Sequence, residues 1–295
     1  MNRTTQVALL AVLLILVSCG NANRQYVRSA VRIMDKQGLF AEGPEWKAAR
    51  AEALSARPAS LEEAQEIVRA AAKVAGGKHS GLKLAGRVQE DATSEWPAPS
   101  VTMAEGGIPV VSLPPFSGNQ AEGVKYASAV LSTIPEDVPG VVIDLRGNTG
   151  GNMYPMIAAV HRFLPDDGET LRFRTRKRTQ WIPLSYAVQV AGVEQRSHIS
   201  CPVAILADEW TASSGEATLI CFRGLENVRV FGAPTAGYAS ANQPFPLPGG
   251  DHLVLTTGCD VARTGEVFCD DPIEPDVASD TPLEDAVKWL LSMSL

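Results

Sequence analysis

The chain predicts an α/β fold, a largely parallel sheet covered by helices, with a small helical bundle ahead of it. Three observations carry this. Residues 25–77 hold three helical patterns in succession. From about Lys78 strand and helix patterns alternate. The strand segments "PGVVIDLR" and "PVAILA" are continuous apolar runs, as strands covered on both faces require. The 295 residues are 45% hydrophobic and 20% charged, which allows one large core or two modest ones. A net charge of −7 argues against nucleic acid as a partner and is too mild to call for a cationic one.

The first element is not part of the fold. "MNRTTQVALLAVLLILVSCG" has one early basic residue, Arg3, then an apolar run from Val7 to Val17. That run suits a signal peptide and is too short to span a bilayer. It ends in "LVSC", which resembles a bacterial lipoprotein box, so residues 1–19 are expected to be a signal peptide with Cys19 lipidated. An ordinary signal peptide or an uncleaved anchor is the alternative. Each of these places the body outside the cytoplasm, and lipid chains would tether it to the membrane.

The bundle, residues 20–77, comes next. "RQYVRSAVRIMDKQGLF" repeats apolar residues at helical spacing up to Gly38. "PEWKAARAEALSA" starts with Pro44 in its first turn. "SLEEAQEIVRAAAKVAGG" has Ser60 as cap, Glu63 three residues on, and Gly76-Gly77 as stop. Then follow, in order, a strand in "IPVVSLPPF", a helix in "GVKYASAVLSTI", the strand "PGVVIDLR", the turn "GNTGGN", and a helix in "MYPMIAAVHRFL". Further on, "PVAILA" is a strand and "TASSGEATLICF" a corner and helix. "VRVFGAP" and "DHLVLTTGC" are strands, and "PLEDAVKWLLSM" is the last helix. "LRFRTRKRTQWIPLSYAVQVAG", rich in arginine before it turns apolar, predicts a solvated edge hairpin, or else a flap over a ligand. With Cys19 assigned to lipid, four cysteines remain. Cys259 and Cys269 flank a hairpin with its turn near Thr264-Gly265, a placement that lets them face each other. Cys201 and Cys221 have the apolar surroundings of buried thiols. No CxxC or His/Cys cluster argues for a metal, and no cofactor is expected.

Three segments carry candidate chemistry. "SSGE" fits a capping box with Ser213 as N-cap and Glu216 at N3. A serine at a helix N-terminus also sits where backbone amides favour a developing oxyanion, so cap and nucleophile both stand open for Ser213. "VVIDLRGNTGGNM" runs a buried strand into glycines, whose amides can face a cleft; it is neither GxxxxGK nor GxGxxG. "AGGKHSGL" puts His79 in a glycine-flanked loop, whereas His161 falls on a helix face, His198 in a polar loop and His252 in a strand.

Taken in order, "DLRGNTGG", "TASSGE", "GAPTAGY" and "PIEPDV" resemble the C-terminal processing (tail-specific) serine peptidases, over about Ile108 to Val277. "TASSGE…FRGLENVRVFGAPTAGY…LTTG" is most similar to the nisin-resistance branch of that family, membrane-anchored peptidases that clip a lantibiotic near its C-terminus. The resemblance implies a ClpP/crotonase-like β-β-α core over 78–295, cap insertions at about 83–107 and 168–198, and no PDZ domain. It implies Ser213 as nucleophile and an oxyanion hole from Gly150 or Gly151 with Ser214. Where the processing peptidases carry a lysine base this chain has Tyr238, a poor base at neutral pH. Histidine-type relatives carry their base in a loop like "GGKHS", which implies His79. Asp270, Asp271 and Glu274 lie where some of these relatives keep an acid that orients the histidine. The expected substrate is a peptide or an unstructured protein C-terminus, possession of nisin itself as substrate being left open. The alternatives are general C-terminal processing and a lipid- or peptide-binding protein without activity on the same fold.

Overall fold

The computed structural model describes residues 21–93 and 95–293. The signal-peptide segment and Cys19 lie outside the described residues. Among the described residues no helix is long and apolar enough to cross a membrane. The chain divides into two compact units, one of residues up to Gln89 with Asn242–Thr257, the other of Glu90–Ala241 with the C-terminal stretch from Gly258.

The first unit is the bundle and more. Its helices cover 21–37, Gly43–Ser55 and Leu61–Gly76. Ser60 accepts from the Glu63 amide as the capping residue, while Glu63 reaches back to the Ala59 amide at 2.8 Å. Tyr26, Val31, Met34, Trp46, Val68 and Ala72 meet in one core. Leu247, Leu253 and Leu255 join them from the distant 242–257 segment. Within this unit Gly81–Lys83 pairs antiparallel with His252–Val254. Tyr26 and Gln65 donate to the buried Asp251 carboxylate, fastening that segment to the helices. The compact unit is therefore larger than the 20–77 bundle that local pattern marks out.

The second unit is built on a six-stranded sheet. Its strands are β1 (Ser100–Met103), β2 (Pro109–Ser112), β3 (Val141–Asp144), β4 (Val203–Ala207), β5 (Val228–Gly232) and β6 (Val277–Ala278). They lie side by side in that order, β1 antiparallel at one edge and all later pairs parallel. Parallel strands need covering on both faces, and alternate residues divide between two cores. Val141, Ile143, Val203 and Ile205 face helices Gln120–Leu131, Met153–Val160 and Ser214–Phe222. Val142, Ala204 and Leu206 face Ala286 and Leu290 of the last helix, Pro282–Met293. Burying each such aliphatic side chain stabilises the fold by about 1.5–3 kcal/mol.

The arginine-rich segment is an antiparallel hairpin, Leu171–Thr175 with Thr179–Ile182. Thr175 accepts from the Lys177 and Arg178 amides to close its tip, and the Arg172 guanidinium lies 3.6 Å from the centre of the Trp181 ring. Cys259 and Cys269 form a disulfide, while Cys201 and Cys221 are buried free thiols. Part of the predicted cap at about 83–107 is not a cap: Ser100–Met103 is strand β1 of the main sheet.

Candidate active site

Ser213 sits at the corner between β4 and the helix Ser214–Phe222. It is the one non-glycine with positive φ among the described residues, at φ 53° and ψ −114°. An L residue takes that conformation only where its surroundings hold it, at a cost of about 1–3 kcal/mol. Here four bonds hold it. The Ala212 amide donates to the Asn148 carbonyl at 2.9 Å, and the Gly215 amide to the Ala212 carbonyl at 2.9 Å. The Ala217 amide donates to the Ser213 carbonyl at 2.8 Å, and the Ser213 amide to Glu216 Oε2 at 2.8 Å. Glu216, turned back onto the cap's amide, supplies the glutamate half of the capping box read from "SSGE". The Ser213 hydroxyl makes no side-chain cap hydrogen bond. A strained strand-to-helix corner that carries a serine is the backbone device of a nucleophile elbow.

The glycine turn after β3 packs against this corner. Asn148, fully buried, donates to the Leu113 carbonyl at 2.8 Å and accepts from the Gly150 amide at 2.9 Å. That bond occupies the Gly150 N–H. The amides of Gly151 and Ser214 donate to nothing among the described residues, and the Ser214 hydroxyl donates to the Gly151 carbonyl at 2.7 Å. Both glycines are required by space and by φ. A Cβ on Gly150 (φ 99°) would lie 2.7 Å from Ser213 Cβ, and one on Gly151 (φ 122°) would collide with the Phe116 carbonyl oxygen. Phe116 pairs with this turn like a strand residue: its amide donates to Gly150 O and its carbonyl accepts from Asn152. Two undonated amides and a serine hydroxyl at one corner are the elements of an oxyanion hole beside a nucleophile.

Glu216 does more than complete a cap. Its buried carboxylate accepts from Ser213 N and Tyr238 N through Oε2, and from Gly237 N and the Thr235 hydroxyl through Oε1. Burial pushes this carboxyl upward, and the four hydrogen bonds oppose the shift. The "TASSGE" and "GAPTAGY" segments are thereby tied together at one carboxylate. In the sequence Glu216 carries a cap signal and the last place of "TASSGE", and Asn148 a place in "DLRGNTGG", but neither motif says which donors these side chains hold. Tyr238, at the position of the lysine in the processing peptidases, offers its backbone amide to this hub.

His79 lies in the first unit, half-buried in the loop after helix Leu61–Gly76. Asn242 donates to its carbonyl at 3.0 Å, and Thr256 donates to Asn242 at 2.6 Å. Next to it, the Ser80 hydroxyl accepts from the Thr256 amide at 2.9 Å. Burial, reinforced by Lys73 and Lys78, pushes the imidazole down to about 4, so it is a neutral acceptor at neutral pH. His161 has a structural job instead, its Nδ1 on the Ala158 carbonyl and its Nε2 on the Arg196 amide. Of the three acidic candidates, Asp270 is half-buried and Asp271 and Glu274 are exposed. Among the described residues no group of three or more His, Cys, Asp or Glu side chains is placed to hold a metal ion.

The model of peptidase family S41 matches residues 107–279, from the start of β2 past β6. The chain belongs to peptidase family S41. This S41 chain is 31% identical, over 91% of its own length and 87% of the other's, to the nisin-resistance protein of Lactococcus lactis subsp. lactis. To the carboxy-terminal processing protease of Bacillus subtilis (strain 168) it is 22% identical, over 61% of this chain and 36% of that one. Among solved structures, a lipoprotein from Streptococcus agalactiae superposes with a TM-score of 0.83 at 28% identity, covering 92% of this chain and 96% of that one. The photosystem II D1 C-terminal processing protease shares the fold, with a TM-score of 0.64 at 15% identity over 91% and 97% of the two chains. This S41 member is a serine-type peptidase.

Proposed function

We propose that the chain is an extracytoplasmic serine endopeptidase that cuts peptides near their C-terminus by a Ser213/His79 mechanism. The observation that carries it is Ser213 itself, held at positive φ with its hydroxyl outside the cap and two undonated amides beside it. Ser213 Oγ attacks the scissile carbonyl while His79 takes its proton. The Gly151 and Ser214 amides hold the oxyanion of the tetrahedral intermediate. His79 returns the proton to the leaving amine, and a water molecule, activated by the same imidazole, releases the acyl group. With its imidazole lowered to about 4, His79 starts neutral and has a lone pair to accept the serine's proton.

Likeness to the nisin-resistance protein supports a lantibiotic such as nisin as the substrate, and the processing-protease relatives support general trimming of C-termini as the second choice. The likeness to a lipoprotein supports lipid attachment at Cys19 and a membrane-tethered location. The test is direct. Ser213→Ala and His79→Ala each lower cleavage of nisin or of an unstructured protein tail on the order of 10⁴-fold, with circular dichroism unchanged. A fluorophosphonate labels wild type at Ser213, as a ligand carrier on this fold does not. Wild-type cleavage rates from purified Ser213→Ala would remove the nucleophile assignment.

A further inference from the structure

No step of the proposed reaction uses the arginine-rich hairpin. From Thr170 to Val193 the sequence holds no Asp or Glu, yet four arginines and Lys177 fall between Arg172 and Arg178. In a chain whose net charge is −7, this is a local inversion of sign. Strand register sorts the two faces of the hairpin. Arg172 lies opposite Trp181 and Arg174 opposite Thr179, and side chains alternate along a strand, so these four share one face. On the other face Leu171 and Ile182 are buried in the core and Phe173 packs against it. The hairpin is thus fastened by its apolar face, which leaves the cationic face for solvent. Arg174, Lys177 and Arg178 are exposed, and among the described residues none of the three is held in an ion pair. Lys177 and Arg178 stand at the tip that Thr175 closes. Trp181 is 42% exposed, with the Arg172 guanidinium stacked on its ring. An indole set among cations suits a boundary between water and lipid, where the ring takes the interfacial layer and the cations take the headgroups.

We propose that this hairpin docks on the anionic headgroups of a lipid bilayer, with Arg174, Lys177 and Arg178 supplying the charge and Trp181 the interfacial contact. The chain reverses at the tip, so the cations stand on a convex surface. Such a surface can press on a flat sheet of headgroups and cannot enclose a small ligand. An acidic body is repelled as a whole by an anionic bilayer. The hairpin reverses that repulsion at one place, and so sets which side of its unit meets the membrane. A leader of the kind expected in residues 1–19 sets distance from the bilayer but not orientation. Docking uses neither Ser213 nor His79, so it stands apart from the peptidase mechanism.

The test uses the full chain and two kinds of vesicle, phosphatidylcholine alone and phosphatidylcholine with about 30% phosphatidylglycerol, in about 0.1 M salt. Sedimentation gives a partition coefficient for each, and their ratio cancels the apolar insertion of the leader, which is common to both. Each docked cation multiplies the ratio about fivefold. The triple variant Arg174→Gln, Lys177→Gln, Arg178→Gln therefore lowers it on the order of 100-fold. A control triple, Lys47→Gln, Lys125→Gln, Lys288→Gln, removes the same charge from exposed positions elsewhere and changes the ratio less than about threefold. Salt at about 0.5 M brings the wild-type ratio toward one. Circular dichroism and urea midpoints check folding. If the hairpin triple does not fold, Lys177→Gln alone, at the exposed tip, carries the test with its fivefold loss. A wild-type ratio near one, an unchanged ratio in the hairpin variant, or equal losses in both triples overturns the proposal. An unchanged ratio joined to a raised KM for acidic peptides in vesicle-free solution also overturns it, and gives the hairpin to the substrate instead.

Discussion

Glu216→Gln isolates the hub behind the nucleophile. The carboxylate satisfies four buried donors, two on each oxygen. The substitution keeps the shape and turns one oxygen into an NH₂ donor. Facing Oε2's partners, that NH₂ would orphan both the Ser213 and Tyr238 amides. Facing Oε1's partners, it meets the Gly237 amide and the Thr235 hydroxyl, which can rotate. The second orientation is favoured, but the Thr235 oxygen already accepts from the Ile273 amide at 2.8 Å. One buried N–H is thus left bare, at about 1–3 kcal/mol, and one hydroxyl loses its strong acceptor, at about 1–2 kcal/mol. Removing a buried charge returns part of this. The expected loss is about 2–4 kcal/mol, a large share of the roughly 5–15 kcal/mol of a typical fold. Urea unfolding at constant slope measures it. Because the favoured orientation keeps the acceptor of Ser213 N, fluorophosphonate labelling of the folded protein should stay within about tenfold of wild type. A variant as stable as wild type to within about 0.5 kcal/mol would refute the hub, since a change near four satisfied donors cannot then matter.

Three further outcomes follow from the same structure. With His79 lowered to about 4 by burial, Lys73 and Lys78, kcat/KM should hold as pH falls through 6.5 and decline only on approach to about 4; Lys78→Gln should move that acid limb upward, and a limb at 6.5 in wild type counts against a buried neutral base. Asp260 is buried, has one unpartnered oxygen, and is pushed well up by burial and then by Glu216. A raised carboxyl keeps its proton when folded and releases it when unfolded, so its contribution is fully present below the unfolded value of 3.8 and is lost as pH rises. Asp260→Asn should therefore gain stability relative to wild type at pH 7.5 and lose that gain near pH 3.5, read by urea midpoints; a deficit at both pH values would contradict this. The Cys259–Cys269 disulfide closes a separation of 10 residues, so replacing both cysteines with serine should lower stability by about 2–3 kcal/mol in the same assay, and no change would mean the bridge does not form.

How much was legible in the sequence depended on how local the determining interaction is. β3 and β4 were readable because both faces are covered, which forces unbroken apolar runs. The helix expected from Gly123 begins at Gln120, where Asn119 and Glu122 form a full capping box. The Cys259–Cys269 bond was readable because a short hairpin sets its partners. By contrast, the leucines of 242–257 alternate as in any strand, and nothing local says that they pack on helices some two hundred residues earlier. Ser100–Met103 reads as a cap insertion until its pairing with β2 is seen. At the site, residue types announced a serine, a histidine and glycines. They could not give the positive φ of Ser213, nor say that Asn148 occupies the Gly150 amide and leaves that of Gly151. Such facts depend on which backbone groups meet in space, and a motif records only that they meet.

The His79 loop is fixed by residues synthesised long after it. Asn242 and Thr256, which hold the His79 carbonyl and the adjacent Ser80, follow their partners by 163 and 176 residues. At roughly 5–20 residues per second these anchors are added about 8–35 seconds after the histidine and serine they hold. During that interval a growing chain carries its imidazole on an unfastened loop. A product that stops short of Asn242 never acquires the fastening, whatever the state of its serine corner. The order of translation thus leaves the His79 loop without these two anchors until Thr256 has been added.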